Sequence, residues 1–191
     1  MERRELLKMI AAATGAAMIG MPAFGFAQTP ADDGANAFTE TDAALLDEVA
    51  DTILPRTRTP GAKDAGAGAF IARYVADCYT PENQAIFRAG LIDLDRRGGQ
   101  RFLALTPEAR TALLRTLDAE ARTHLATTAK EGGANRGPLK PHYFTMIKQL
   151  TIFSYFTSET GATQALQYVA IPGRYEGDVP YTPGTPAWAF E

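Results

Sequence analysis

An all-α fold is what this sequence predicts: a single small helical domain of about five helices with an extended Pro/Gly-rich C-terminal arm. Three observations carry that reading. Large apolar residues recur at helical spacing in successive segments between residues 39 and 156. Two segments open with the same start signal, Thr80-Pro81-Glu82 and Thr106-Pro107-Glu108, in which a hydroxyl caps, proline takes the first turn and an acid faces the positive helix end. Strand patterning is confined to Tyr168-Val169-Ala170-Ile171, a short run read as an edge strand or extended arm.

The first helix is announced by Thr39-Glu40-Thr41-Asp42, whose hydroxyls cap orphan amides and whose acids suit the helix start. Leu45, Leu46, Val49, Ile53 and Leu54 form its stripe, and Pro55 ends it. Residues 56–68, rich in Thr, Pro, Gly and Ala, read as a loop. A second helix over Ala69 to Cys78 turns Phe70, Ile71, Tyr74, Val75 and Cys78 inward. The third runs from Thr80 to about Arg97, before Gly98-Gly99, and buries Ile86, Phe87, Leu91 and Leu94. The fourth runs from Pro107 to about Lys130 with Leu113, Leu114, Leu117, Ala121 and Leu125 inside, and Gly132-Gly133 stops it. After a loop over 134–140, a fifth helix starts near Pro141 and holds Tyr143, Phe144, Met146, Ile147, Leu150, Ile152, Phe153, Tyr155 and Phe156. A helix apolar on most sides is either central to the core or pressed against another chain; the central position is the plainer expectation.

Residues 172–191 differ in character. Pro172, Pro180, Pro183 and Pro186 exclude regular helix, while Gly173, Gly177 and Gly184 permit turns. Ile171, Tyr175, Val179, Tyr181, Trp188 and Phe190 are not the composition of a solvated tail. Such a segment lies on something apolar, either its own domain or a partner.

Ahead of the domain stands an export signal of the twin-arginine type. Arg3 and Arg4 are followed by Glu5-Leu6-Leu7-Lys8, and no charge occurs from Met9 to Ala31. Ala- and Gly-rich composition keeps that run mild, and with Pro22 in it the run falls short of the roughly 20 strongly apolar residues a spanning helix needs. Small residues before Gln28 place cleavage after Ala27. The organisation is therefore 1–27 signal, 28–38 flexible mature N-terminus, 39–171 helical domain and 172–191 arm. The twin-arginine translocase carries proteins already folded, usually because a cofactor was inserted first. This chain offers no cofactor motif, so the cargo that needs folded export is expected to be a partner.

Removing the signal leaves 191 − 27 = 164 residues, enough for one real core, and 16 cations against 20 anions, a net −4. That balance argues against nucleic acid as a partner. Cys78, the single cysteine, is read as a small buried apolar residue, with an intermolecular disulfide as the alternative. With only His124 and His142 besides, zinc and haem ligands are poorly supplied, and neither C-x-x-C-H nor an iron–sulfur cysteine set occurs. Catalysis would have to be sought at His142 beside Tyr143, or at Glu159 within Thr157-Ser158-Glu159-Thr160, which reads more simply as a helix end. A stand-alone periplasmic enzyme, or a small-ligand-binding protein with the aromatic helix as pocket wall, is the alternative reading.

Three stretches in order carry a resemblance. Ile53-Leu54-Pro55 leads to Pro60-Gly61-Ala62-Lys63-Asp64-Ala65-Gly66; later comes Phe156-Thr157-Ser158-Glu159-Thr160-Gly161-Ala162-Thr163; then Pro172-Gly173-Arg174-Tyr175-Glu176-Gly177 ahead of Val179-Pro180. The ordered set resembles the gluconate 2-dehydrogenase subunit 3 family over nearly the whole mature chain. The resemblance implies a non-catalytic small subunit of a periplasmic sugar or polyol dehydrogenase, held at the inner membrane through its complex. It implies no cofactor on this chain, FAD (with an iron–sulfur cluster as a further expectation) on a glucose–methanol–choline type large subunit, and haem c on a membrane-anchored cytochrome subunit. The small subunit would supply the export signal and support maturation of the flavoprotein. Some relatives carry cysteine where Asp178 stands, so an inter-subunit bridge at that position is not expected here. Phe153, Phe156, Arg174, Tyr175, Tyr181 and Trp188 are the residues expected to anchor the partner, being of the types that dominate interfaces.

Overall fold

The computed structural model describes residues 38–131 and 140–171 and, in the C-terminal segment, residues 173, 177, 178, 180 and 182–189; side chains at 129–131 are outside that description. Helix α1 spans Glu40–Ile53 and opens with a reciprocal cap: Asp42 N–H donates to Thr39 Oγ1 at 3.2 Å, and Thr39 N–H donates to the Asp42 carboxylate at 2.9 Å. Its inner stripe is Leu45, Leu46, Val49 and Ala50. Helix α2 spans Ala67–Cys78 and buries Ala67, Gly68, Ile71, Ala72 and Val75. Helix α3, Pro81–Arg96, and helix α4, Pro107–Glu131, start as their shared Thr-Pro-Glu signal predicts. Thr80 Oγ1 accepts from Asn83 N–H at 3.4 Å and Thr106 Oγ1 from Ala109 N–H at 3.3 Å. Between them a 3₁₀ turn at Phe102–Ala104, which the periodicity did not announce, drops Phe102 fully into the core. Arg110 ties that turn down, donating to the Phe102 and Leu103 carbonyls at 3.2 and 2.7 Å while pairing with Glu48 of α1.

Helix α5, Tyr143–Thr157, touches each of the other four helices, which makes it the central element expected of so apolar a segment. Phe144, Met146, Ile147, Leu150 and Tyr155 face inward together with two buried hydroxyls. Those hydroxyls are satisfied locally: Thr151 donates to the Ile147 carbonyl at 2.9 Å and Ser154 to the Thr151 carbonyl at 3.0 Å. Close approach of α3 is set by Gly90, where a Cβ would run into the Tyr143 ring. The Tyr143 hydroxyl donates to Asp93 across the same crossing at 2.7 Å. A π-helical turn at Gly161–Ala165 follows α5.

Three inward assignments are corrected. Leu125 is 61% exposed, because α4 continues past Ala121, its last residue in the core. Phe70 and Cys78 are exposed because the buried face of α2 runs through 67, 68, 71, 72 and 75, leaving 70, 74 and 78 as a neighbouring stripe. Ile86 and Leu113 keep their inward assignment, half-buried against the edge of the core. Of the two readings of Tyr168–Ile171, the edge strand does not form: among the described residues one isolated parallel bridge joins Gln167 to Trp188, and the run is non-helical chain leading into the arm.

Candidate functional site

The first two stretches that carry the resemblance converge on Tyr155. In the loop between α1 and α2, Ala62 N–H donates to the Leu54 carbonyl at 2.9 Å and Asp64 accepts from Gly61 N–H at 2.7 Å. That amide bond and the Arg56 guanidinium beside Asp64 hold its carboxyl below the usual carboxylate range. Lys63 pairs with Glu48, which also meets Arg110, and these cations lower the Glu48 carboxyl. The buried Tyr155 then donates its hydroxyl to the Pro60 carbonyl at 2.7 Å, fixing the loop onto α5. At the other end of the same residue, the Tyr155 carbonyl accepts from Ser158 Oγ at 2.7 Å and from Ser158 N–H at 3.2 Å. Ser158 Oγ in turn accepts from Gly161 N–H at 2.9 Å, and Gly161 lies so close that a Cβ would collide with the Tyr155 carbonyl oxygen. The helix-end reading of Thr157-Ser158-Glu159 is therefore what the structure holds, and both stretches act as architecture.

Beside this hub lies an apolar surface that the bundle leaves uncovered. On α2, Phe70 and Tyr74 stack at 5.8 Å between centroids. Phe153 of α5 meets them at 5.9 and 5.7 Å, and Phe156 packs edge-on to Tyr155 at 5.0 Å. Phe70, Ile152, Phe153 and Phe156 are 39%, 42%, 45% and 40% exposed, so each keeps a large apolar area in water. Helical geometry puts Gln149, Ile152, Phe153 and Phe156 on one side of α5, and Phe70, Tyr74 and Cys78 on one side of α2. Cys78 thus ends an aromatic stripe.

The last residues of the helical domain and Trp188 of the arm add a second exposed apolar set. Gln167 is the arm's latch: the Gln167 N–H donates to the Ala187 carbonyl at 2.8 Å, the Ala189 N–H to the Gln167 carbonyl at 2.7 Å, and the Gln167 side-chain amide to the Pro186 carbonyl at 2.7 Å. Residues on either side of the latch stay in water, with Ile171 85%, Trp188 51%, Val169 47% and Tyr168 46% exposed. Of the arm's large apolar residues only Trp188 is described, and it is half exposed; Tyr175, Val179, Tyr181 and Phe190 lie outside the described residues.

The catalytic candidates sit apart from one another. Glu159 is exposed beyond α5, and His142 caps the start of that helix. His142 Nδ1 accepts from Phe144 N–H at 3.2 Å, so its proton is on Nε2, and the ring stacks on Tyr143 at 4.7 Å. Burial and the neighbouring His124 ring, 5.7 Å away, push the His142 pKa down, while burial and the bond to Asp93 push Tyr143 up. Nε2 of His124 lies 2.9 Å from the Lys140 carbonyl. Among the described residues no group of three or more His, Cys, Asp or Glu is placed to hold a metal ion.

Of the expected anchors, Phe153 and Phe156 share the uncovered surface and Trp188 lies at the arm's latch. Arg174, Tyr175 and Tyr181, with Arg3, Arg4, Leu6, Leu7, Lys8, Ala27 and Gln28, lie outside the described residues. Sequence reasoning missed Phe70, Tyr74 and Ile152 as surface residues and Gln167 as a latch. The four-residue spacing of Phe70, Tyr74 and Cys78, set against the buried stripe beside it, was the available signal for α2. No described helix is long and apolar enough to cross a membrane.

No curated protein and no solved structure matches the chain. The sequence model of one family does, over residues 40–173, from the first turn of α1 into the arm. That stretch includes the loop, the helix end and the crossing helices just described, and the chain belongs to the gluconate 2-dehydrogenase subunit 3 family.

Proposed function

We propose that this chain is the non-catalytic small subunit of a flavin-dependent sugar or polyol dehydrogenase, and that it escorts the flavoprotein through export and remains bound to it. The observation that carries the reading is the uncovered aromatic surface of α2 and α5: Phe70, Tyr74, Ile152, Phe153 and Phe156 form an apolar face beside a well-filled core. Contiguous exposed apolar area of this kind marks a protein-binding surface. Aromatic residues are the side chains that anchor such interfaces. Family membership supplies the kind of complex in which that surface finds its cover.

In this reading Arg3 and Arg4, with Leu6, Leu7 and Lys8, form the twin-arginine signal, and cleavage follows Ala27. FAD, and an iron–sulfur cluster where present, belong to the large subunit, and haem c to a cytochrome subunit at the inner membrane. One signal moves two chains when their association in the cytoplasm outlasts transit, which calls for slow dissociation and hence a tightly packed apolar contact. Arg174, Tyr175, Tyr181 and Trp188 extend the contact along the arm.

The test is to express the flavoprotein with this chain, without it, and with Arg3→Lys/Arg4→Lys. Dehydrogenase activity in the periplasmic fraction is expected only with the native pair of arginines. An active flavoprotein reaching the periplasm without this chain overturns the escort role. Cys78, the chain's single thiol and an exposed one, provides a docking readout: it is expected to react with a maleimide in the isolated chain and to be protected in the complex.

A further inference from the structure

Helices α1, α4 and α5 border a cleft of about 380 Å³ lined by Thr52, Ile53, Pro55, Thr111, Leu114, Arg115, Asp118, Phe144 and Lys148. Its volume falls within the range of about 300–1,000 Å³ typical of small-molecule sites. On α4 the lining residues 111, 114, 115 and 118 follow helical spacing, so one face of that helix forms a continuous wall. Phe144 is nine residues from Phe153, half a rotation around α5, while Lys148 at the rim is one turn before Ile152 and borders the partner surface.

The chemistry of the lining is specific. Ile53, Leu114 and Phe144 make an apolar floor, with Leu114 and Phe144 almost fully buried. Charge gathers at the rim. Asp118 is shared by Lys148 at 2.7 Å and Arg122 at 2.5 Å, and the Lys148 hydrogen bond above all keeps its carboxyl ionised. Among the described residues Arg115 makes no ion pair, which leaves a guanidinium fork beside the floor. The Thr52 and Thr111 hydroxyls donate to their own helix, at 2.7 Å to the Glu48 carbonyl and 2.9 Å to the Pro107 carbonyl, so toward the cleft they offer acceptors only. A guanidinium fork matches one planar carboxylate. The Asp118 carboxylate disfavours a dianion, and the floor favours a hydrocarbon body over a polyol.

We propose that this cleft is a binding site for a small monocarboxylate with an apolar body, its carboxylate on Arg115 and its hydrocarbon along Ile53 and Pro55 above the Leu114–Phe144 floor. The proposal does not rest on the reading given above. Hexanoate and phenylacetate are the probes, titrated into the full mature chain with 1-hexanol and inorganic phosphate as controls, and followed by NMR shifts of Leu114, Phe144 and Arg115. Saturable binding of both carboxylates is expected, about tenfold weaker in Arg115→Gln and weaker again in Arg115→Glu. Arg115 is exposed, so Arg115→Gln is expected to change stability by no more than about 0.5 kcal/mol, and Arg115→Glu, which faces Asp118 one turn on, is checked by its urea unfolding. Absence of saturable shifts, equal binding of 1-hexanol, displacement of hexanoate by phosphate, or unchanged affinity in Arg115→Gln each overturns the proposal.

Discussion

At the scale of single residues, Tyr155 joins more of the molecule than any contact on its own helix requires. Its hydroxyl holds the 60–66 loop through the Pro60 carbonyl, and its carbonyl receives Ser158 at the end of α5. Tyr155→Phe keeps the ring and removes one hydrogen bond, leaving a half-buried carbonyl without its donor; unfolding in urea should show a loss of about 1–2 kcal/mol. A loss indistinguishable from zero would mean that water replaces the hydroxyl. His142 makes a different prediction, set by pH. Its Nδ1 accepts the Phe144 amide only while the ring is neutral, and its pKa is lowered in the folded chain by burial, with His124 and Arg97 reinforcing the shift and Glu120 and Asp93 opposing it. The unfolded chain therefore binds the proton more readily, and stability falls as pH drops from about 7 through the unfolded pKa near 6.5, levelling once the folded ring also protonates. The lowered carboxyls of Glu48 and Asp118 act at more acidic pH, below their ordinary range. His142→Asn keeps a capping acceptor without titrating, so its stability should be flat between pH 7 and 5.5 where the native chain declines; parallel curves would refute the assignment.

At the scale of elements, the starts of the helices were legible because they are local chemistry. Thr39 with Asp42, Thr80 with Pro81 and Thr106 with Pro107 each satisfy amides within three residues, so the sequence contains the whole interaction. Facing was legible where burial is total, as at Leu46, Val49, Phe87 and Leu117, and failed at Phe70, Cys78 and Leu125. An apolar side chain carries no mark distinguishing a place in the core from a place beneath a partner. The 3₁₀ turn at Phe102 and the latch at Gln167 were hidden for another reason: each is fixed by a residue distant in sequence, Arg110 in one case and Ala187 in the other. The α3–α5 crossing tests the packing directly. Gly90→Ala would push a methyl into the Tyr143 ring and strain the Tyr143–Asp93 bond, so a loss of about 1–3 kcal/mol is expected, against the gain of up to about 1 kcal/mol that Gly→Ala brings in an unobstructed helix. Net stabilisation would show that the two helices separate at little cost.

At the scale of the whole molecule, the chain divides into a core that is finished and surfaces that are not. Phe87, Phe102, Ile71 and Leu94 are fully enclosed, while Phe70, Phe153, Phe156, Ile171 and Trp188 stay in water. Truncating an enclosed residue would cost folding free energy, so only the uncovered ones allow partner binding to be separated from stability. Phe153→Gln and Phe156→Gln are suited to that separation. Each residue is about half exposed, and glutamine tolerates a helix, so the isolated variant should unfold within about 1 kcal/mol of the native chain and aggregate less on concentration. In the complex the same variants lose an aromatic anchor in a site that a partner would dehydrate. Dissociation from the flavoprotein should then be faster by about thirtyfold for each, corresponding to roughly 2 kcal/mol, and periplasmic dehydrogenase activity should fall with it. Leu125→Gln provides the internal comparison, since Leu125 is the more exposed at 61% but lies on α4 beyond the core and away from the aromatic cluster. If it slows or speeds dissociation as much as the α5 variants do, the partner surface has been placed on the wrong helices. If Phe153→Gln and Phe156→Gln leave the complex intact, the exposed aromatic side chains on α5 serve something other than the flavoprotein.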